Sequence, residues 1–155
     1  MSGSDQGVKM LSDNRRARHH YCLLEDMEAG MVLTGTEVKS IRAGQLQLRD
    51  AYATIRDNEM WLFNAYISPY SHGNLQNHEP LRPRKLLLNR REISRLIGKT
   101  HEKGLTLIPT KVYLLRGKIK CRLALAKAKK LYDKREKSRQ REAESEARQA
   151  VRDGR

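Results

Sequence analysis

The chain has 155 residues, 32% of them charged and 38% hydrophobic, with a formal net charge of +14. That length and apolar content predict one compact domain of modest core plus appendages, and the surplus of positive charge predicts a polyanionic partner. No apolar run approaches the roughly 20 residues of a membrane span, and two cysteines are too few for a disulfide framework or a zinc site.

The charge is concentrated. Residues 131–155 carry eight Lys/Arg against six Asp/Glu, which leaves +12 on residues 1–130. Between Lys103 and Tyr132 there are nine basic residues and no acidic one. The start, MSGSDQGVKML, has no apolar signal core, which together with the cysteine count fits a cytoplasmic protein.

In chain order, residues 1–13 are polar and read as a disordered N-terminus. NRRARHHY is a basic arm that leads into a strand around Tyr21 to Glu25. GTEVKSIRAG reads as a short helix, with Thr36 as N-cap, Val38 and Ile41 on one face and Gly44 as the stop. LRDAYATIRDNEMWLFNAYI reads as a hairpin turning at DNE. Ala51, Ala53 and Ile55 are expected on one side, and Trp61, Phe63, Ala65 and Ile67 on the apolar face. SPYSHGNLQNHEPLRPRK holds three prolines and no period, so it reads as a long loop. NRREISRLIG predicts a helix capped by Asn89, with Ile93, Leu96 and Ile97 buried and Gly98 at its end. A second hairpin follows: LTLIPTKVYLL, the turn RGK, then IKCRLALAK. Ile119, Cys121, Leu123 and Leu125 face one way, and Lys118, Lys120, Arg122, Ala124 and Ala126 the other. Short antiparallel strands with few helices predict a mainly β fold, a small closed or nearly closed barrel spanning residues 14–130.

Two basic segments are candidate RNA contacts. In RPRKLLLNRRE, Arg82, Arg84, Lys85, Arg90 and Arg91 surround three leucines that would anchor the segment and hold the guanidinium groups outward for phosphate or base stacking. The other reading is a solvated loop entering a helix. Along the last strand, Lys118, Lys120 and Arg122 emerge from one side, and Lys127, Lys129 and Lys130 extend the stripe. Like charges so close repel until phosphates neutralise them. Only eight residues are aromatic. Tyr21 is the best stacking candidate, while Trp61 and Phe63 read as core, so RNA shape and backbone are favoured over base-by-base readout. The five histidines lack metal-site spacing, and His19 with His20 could at most support an RNA-cleaving alternative. No catalytic motif and no cofactor loop is present in the sequence. The last 25 residues favour helix locally but hold almost nothing apolar. They are expected to be disordered when free and helical on a partner.

Several stretches together resemble the SsrA-binding protein, small protein B (SmpB) family: NRRARHHY, EAGMVLTGTEVKSIRAG, RPRKLLLNRREISRLIGKTHEKGLTLIP and LAKAKKLYDKRE. The resemblance covers about residues 14 to 137. It implies a six-stranded antiparallel barrel of OB-like type with two or three short peripheral helices. It also implies a non-catalytic, cofactor-free adaptor that binds the tRNA-like domain of transfer-messenger RNA and carries it to stalled ribosomes for trans-translation. By position it further implies that Glu28, Leu87, Asn89 and Lys127, with Tyr21 beside them, bind that RNA domain. His19 would lie near the decoding nucleotides. Lys129, Lys130, Lys134 and Arg135 would open a tail, residues 131–155, that enters the decoding centre and mRNA channel. The residues alone leave open another basic RNA-binding or ribosome-associated protein. Ala128 stands where the family usually shows glycine, a substitution that matters only if the backbone there is left-handed.

Overall fold

A computed structural model describes residues 7–71, 77–101 and 104–128. Lys129 and Lys130 of the expected stripe, and the tail at residues 131–155 with Lys134 and Arg135, lie outside the described residues. The elements run β1 (Val8–Asp13), α1 (Arg15–His20), β2 (Tyr21–Met31), α2 (Gly35–Arg42), β3 (Leu46–Gln47), β4 (Tyr52–Arg56), β5 (Glu59–Phe63), β6 (Tyr66–Ile67), β7 (Arg84–Leu87), α3 (Arg90–His101), β8 (Thr106–Leu115) and β9 (Lys118–Ala128). Six antiparallel strands close on themselves in the order β8-β4-β5-β7-β2-β9 and back to β8. This is the mainly β barrel with short peripheral helices that the sequence predicts. β1 pairs the C-terminal half of β8 outside the ring, and β3 and β6 form a separate two-stranded ribbon.

Two-residue turns set the register. Asp57 and Asn58 (φ 51° and 62°) join β4 to β5, and Arg116 and Gly117 (φ 50° and 80°) join β8 to β9. Left-handed pairs of this kind match the twist of the strands they connect. From the second turn, Leu115 opposes Lys118, Tyr113 opposes Lys120 and Val112 opposes Cys121. Inward-facing Met27, Ala29, Met60, Leu62, Leu86, Leu107, Val112, Cys121, Leu123 and Leu125 fill the barrel, and Ile41 of α2 and Leu96 of α3 join this core. Each fully buried leucine contributes about 1.5–3 kcal/mol. The Cys121 thiol is pushed up to about 12 by burial, so it serves as core rather than as a nucleophile; Cys22 is exposed.

Several expectations need correction. Residues 8–13 are not disordered: they form β1, because a long-range ladder to β8 satisfies a backbone that looks featureless locally. The basic arm is a helix. Asn14 accepts from Ala17 N–H at 3.3 Å and donates to the Pro109 and Leu48 carbonyls at 2.8 and 3.2 Å, which caps α1 and ties it to the barrel. The cap of α2 is Thr34, not Thr36. Glu37 completes a capping box, its carboxylate accepting from Thr34 N–H at 2.9 Å. Trp61 and Phe63 are not the inward residues of β5. Met60 and Leu62 are, and left-handed Asn64 (φ 62°) resets the alternation so that Ala65 and Ile67 point inward again. Gly98 does not end α3: it needs no left-handed backbone, and the helix continues to His101 before left-handed Gly104. The long loop ends two residues early, at β7.

Candidate nucleic-acid interface

Of the arginines in RPRKLLLNRRE, Arg84 is fully buried and does not face solvent as expected. Its Nε donates to Glu37 Oε2 at 2.5 Å, and its terminal nitrogens donate to the carbonyls of Ala65, Pro80 and Glu79 at 2.7–3.1 Å. Arg82 donates to the other Glu37 oxygen, also at 2.5 Å. Burial alone raises the Glu37 carboxyl, but hydrogen bonds from Arg82, Thr34 N–H and Arg84 outweigh it and hold the group below its ordinary range. This knot clamps α2, the loop after β6, and β7 together. His78 extends it, bridging Thr36 Oγ1 at 2.8 Å and the Ile67 carbonyl at 2.9 Å. Of the three leucines expected to anchor the segment, Leu86 is buried in the core and Leu88 packs against it, whereas Leu87 stands 52% exposed.

An outward face is assembled instead across β7, β2, β9, β8 and β1. One row runs Leu87, Gly30, Lys120, Tyr113 and Met10, each opposite the next. The adjacent row runs Glu28, Arg122, Lys111 and Asp13. At the hairpin end Lys118 opposes Leu115, which in turn opposes Val8 of β1. Gly30 lets Leu87 pack closely across the strands: a Cβ there would sit a tight 3.3 Å from the Leu87 Cβ. Tyr113, 5% exposed, donates its hydroxyl to Glu28 Oε1. Arg122 lies 6.0 Å over the Tyr113 ring centre and pairs with Asp26 at 3.4 Å. Burial first, then the Glu28 hydrogen bond, push the Tyr113 phenol up to about 12, so it is a donor at any ordinary pH. Lys85 lies two residues before Leu87 on β7, half-buried and 3.3 Å from Glu59. Asn89 is exposed before α3, its carbonyl accepting from Ile93 at 3.1 Å.

The opposite end is built differently. α1 covers the continuation of β9, where Ala126 packs with Ala17, Ile108 and the half-buried Tyr21. The stripe therefore stops at Arg122: Ala124 and Ala126 are buried, and exposed Lys127 falls on the other side of β9 by strand alternation. His19 and His20 are exposed neighbours in the last turn of α1, not residues of a strand. Beside them Arg16, His20, Tyr21, Arg49, Asp50 and Tyr52 line an open groove of about 470 Å³, at whose rim Ala128 ends β9. Ala128 pairs with Tyr21 and is not left-handed, so alanine carries no backbone strain there. Among the described residues no group of histidine, cysteine and carboxylate side chains could hold a metal ion, and no helix is long and apolar enough to cross a membrane.

The Glu37 knot and the Tyr113–Glu28 contact are what sequence reasoning misses. The first has a local signal, Thr34-x-x-Glu37, but its arginines are 45 and 47 residues away. The second follows from the two-residue turn at Arg116–Gly117, which sets Tyr113 against Lys120.

These features define a small cationic antiparallel β-barrel with a mixed basic and apolar outer face. The family model described as SmpB protein matches residues 11–153. The chain is 53% identical over 150 residues to the SsrA-binding protein of Desulfitobacterium hafniense (strain DSM 10664 / DCB-2), covering 97% of this chain and 96% of that one. It is 58% identical over 144 residues to the SsrA-binding protein of Desulforudis audaxviator (strain MP104C), covering 93% and 94%. A solved chain described under "tmRNA-SmpB: a journey to the center of the bacterial ribosome" superposes with a TM-score of 0.65 at 49% identity, covering 77% of this chain and 85% of that one. This chain belongs to the SmpB family.

Proposed function

We propose that this protein is a cytoplasmic, non-catalytic adaptor that binds the tRNA-like domain of transfer-messenger RNA and brings it to stalled ribosomes for trans-translation. The observation that carries the reading is the near full-length identity to SsrA-binding proteins. The barrel's cationic outer face supports it. Lys118 and Lys120 offer charge to phosphates, Arg122 a planar guanidinium, Leu87 an apolar contact and Glu28 an acceptor, all on one side of the sheet, with Asn89 just beyond Leu87. Lys85 is a peripheral contact on the same side. Arg84 drops out of the RNA-binding set, because its donors are spent inside the protein.

The end that bears His19 faces the decoding centre in this reading, while Tyr21, just after it, contributes to binding the tRNA-like domain. β9 ends at Ala128 beside Tyr21, and residues 131–155, which begin with Lys134 and Arg135 among their first basic residues, are assigned to the decoding centre and mRNA channel as a helix formed on the ribosome. Lys127, Lys129 and Lys130 belong to the set assigned to the tRNA-like domain in this reading. The test divides them. A chain ended after Lys130 binds a transcript of the tRNA-like domain with affinity close to that of the full chain, yet supports no peptide tagging on stalled ribosomes. Loss of RNA binding and tagging in equal measure refutes the division.

A further inference from the structure

The basic face contains one feature that phosphate binding does not explain. An exposed carboxylate, Glu28, sits among Lys120, Arg122 and Lys111. Against an RNA backbone such a group is repelled, unless it meets a hydrogen-bond donor. Among the neutral donors that RNA presents to a carboxylate are exocyclic base amino groups and the ribose 2′-hydroxyl.

Glu28 is also held in place. The hydroxyl of Tyr113, two strands away on β8, reaches across β9 to its Oε1. Tyr113 is buried at its base by the sheet and covered by the Arg122 guanidinium 6.0 Å above its ring. Arg122 is steadied in turn by Asp26 at 3.4 Å. A glutamate side chain on an open strand otherwise samples many rotamers, and ordering it during binding costs affinity. The Tyr113 bond supplies that order beforehand. A carboxylate oxygen carries two acceptor sites, so the bond leaves Glu28 able to accept from RNA.

We infer that Tyr113, held beneath Arg122, is a positioning residue that presents the Glu28 carboxylate as a fixed acceptor for an RNA base amino group or ribose hydroxyl, while the neighbouring cations take phosphates. This rests on the function proposed above and deepens it. The cluster selects RNA by rejecting any docking that brings a phosphate to Glu28, so it contributes specificity where the lysines contribute attraction.

The test measures binding of the full chain to a transcript of the tRNA-like domain for wild type, Tyr113→Phe, Glu28→Ala and the double variant, with thermal melting as the check of folding. Tyr113→Phe is expected to weaken binding about threefold to tenfold, the range of one net hydrogen bond. Its salt dependence stays unchanged, because no phosphate contact is lost. The double variant matches Glu28→Ala within about twofold, since Tyr113 acts only through Glu28. Losses that multiply, or Tyr113→Phe binding like wild type, overturn the inference.

A second measurement does not depend on Tyr113→Phe folding. In transcripts carrying 2′-deoxy substitutions or bases without an exocyclic amino group, at least one such substitution weakens wild type and has no further effect on Glu28→Ala. The class of substitution that does so identifies ribose or base as the donor. If no substitution behaves this way, Glu28 reads no donor and the inference fails. Failure of the wild-type chain to bind the transcript at all refutes the proposed function itself, an outcome distinct from both.

Discussion

Two arginine–carboxylate clusters in this barrel use the same chemistry for opposite ends. At one, Glu37 and Arg84 are fully buried, and Arg82, Thr34 and three backbone carbonyls surround them. At the other, Arg122 meets Asp26 and covers Tyr113 beside Glu28 on an open sheet face. The first has no surface left for a ligand. The second is solvated and surrounded by lysines, so a polyanion can reach it. Burial, not residue type, separates the structural ion pair from the cluster that a polyanion can reach.

The comparison can be broken most forcefully at Glu37. Replacing it with alanine leaves Arg84 as an uncompensated buried charge, and the expected loss is about 3–5 kcal/mol of folding stability, read by denaturant unfolding. RNA affinity of the remaining folded fraction should be unaltered; a selective loss of affinity with stability intact would mean that the knot belongs to the interface. The same site predicts a pH dependence. Glu37 titrates below its ordinary 4.5 in the folded chain. Its stabilisation is therefore complete above that value and disappears as pH falls through the lower folded one. Glu37→Gln should flatten that acid limb of the stability curve, and an unchanged limb contradicts the assignment.

The exposed cluster predicts the reverse pattern. Lys118→Ala with Lys120→Ala should weaken binding to the tRNA-like transcript and reduce the slope of log affinity against log salt by about 2, one per lost phosphate contact, with melting unchanged. An unaltered slope moves the phosphate contacts elsewhere. The smallest effect is expected where a carboxylate is paired but largely solvated. Hydrogen bonds from Lys99 at 2.9 Å and from Arg95 lower the Glu25 carboxyl. Glu25→Gln should nevertheless cost less than about 1 kcal/mol, because solvent screens exposed pairs.

What was legible in the sequence follows the range of the interaction that decides it. The alternation of β9 assigns Cys121, Leu123 and Leu125 inward and Lys118, Lys120 and Arg122 outward, because a strand's period is local. The short helix at residues 35–42 is equally visible, although its cap was misassigned by two residues. β1 was invisible, since its partner lies some hundred residues away. The parity of Trp61 and Phe63 was misread because one left-handed residue, Asn64, shifts the alternation after it. The burial of Arg84 is set by topology: the pairing of β7 with β2, the strand that leads into α2, brings it to Glu37. Ala124 and Ala126 look like a continuation of the outer stripe until α1 covers them. Glu28 entered the candidate set only through family resemblance, and its Tyr113 partner needed the hairpin register.

On the proposed function, this cationic barrel recognises one folded RNA and leaves the ribosome to the tail. The most direct measurement is sequencing of the RNA that co-purifies with the intact chain from cells, side by side with the Lys118→Ala, Lys120→Ala variant. Transfer-messenger RNA should dominate the wild-type sample and fall sharply with the variant. Stoichiometric ribosomal RNA with no transfer-messenger RNA in the wild-type sample would rule out transfer-messenger RNA as the barrel's partner.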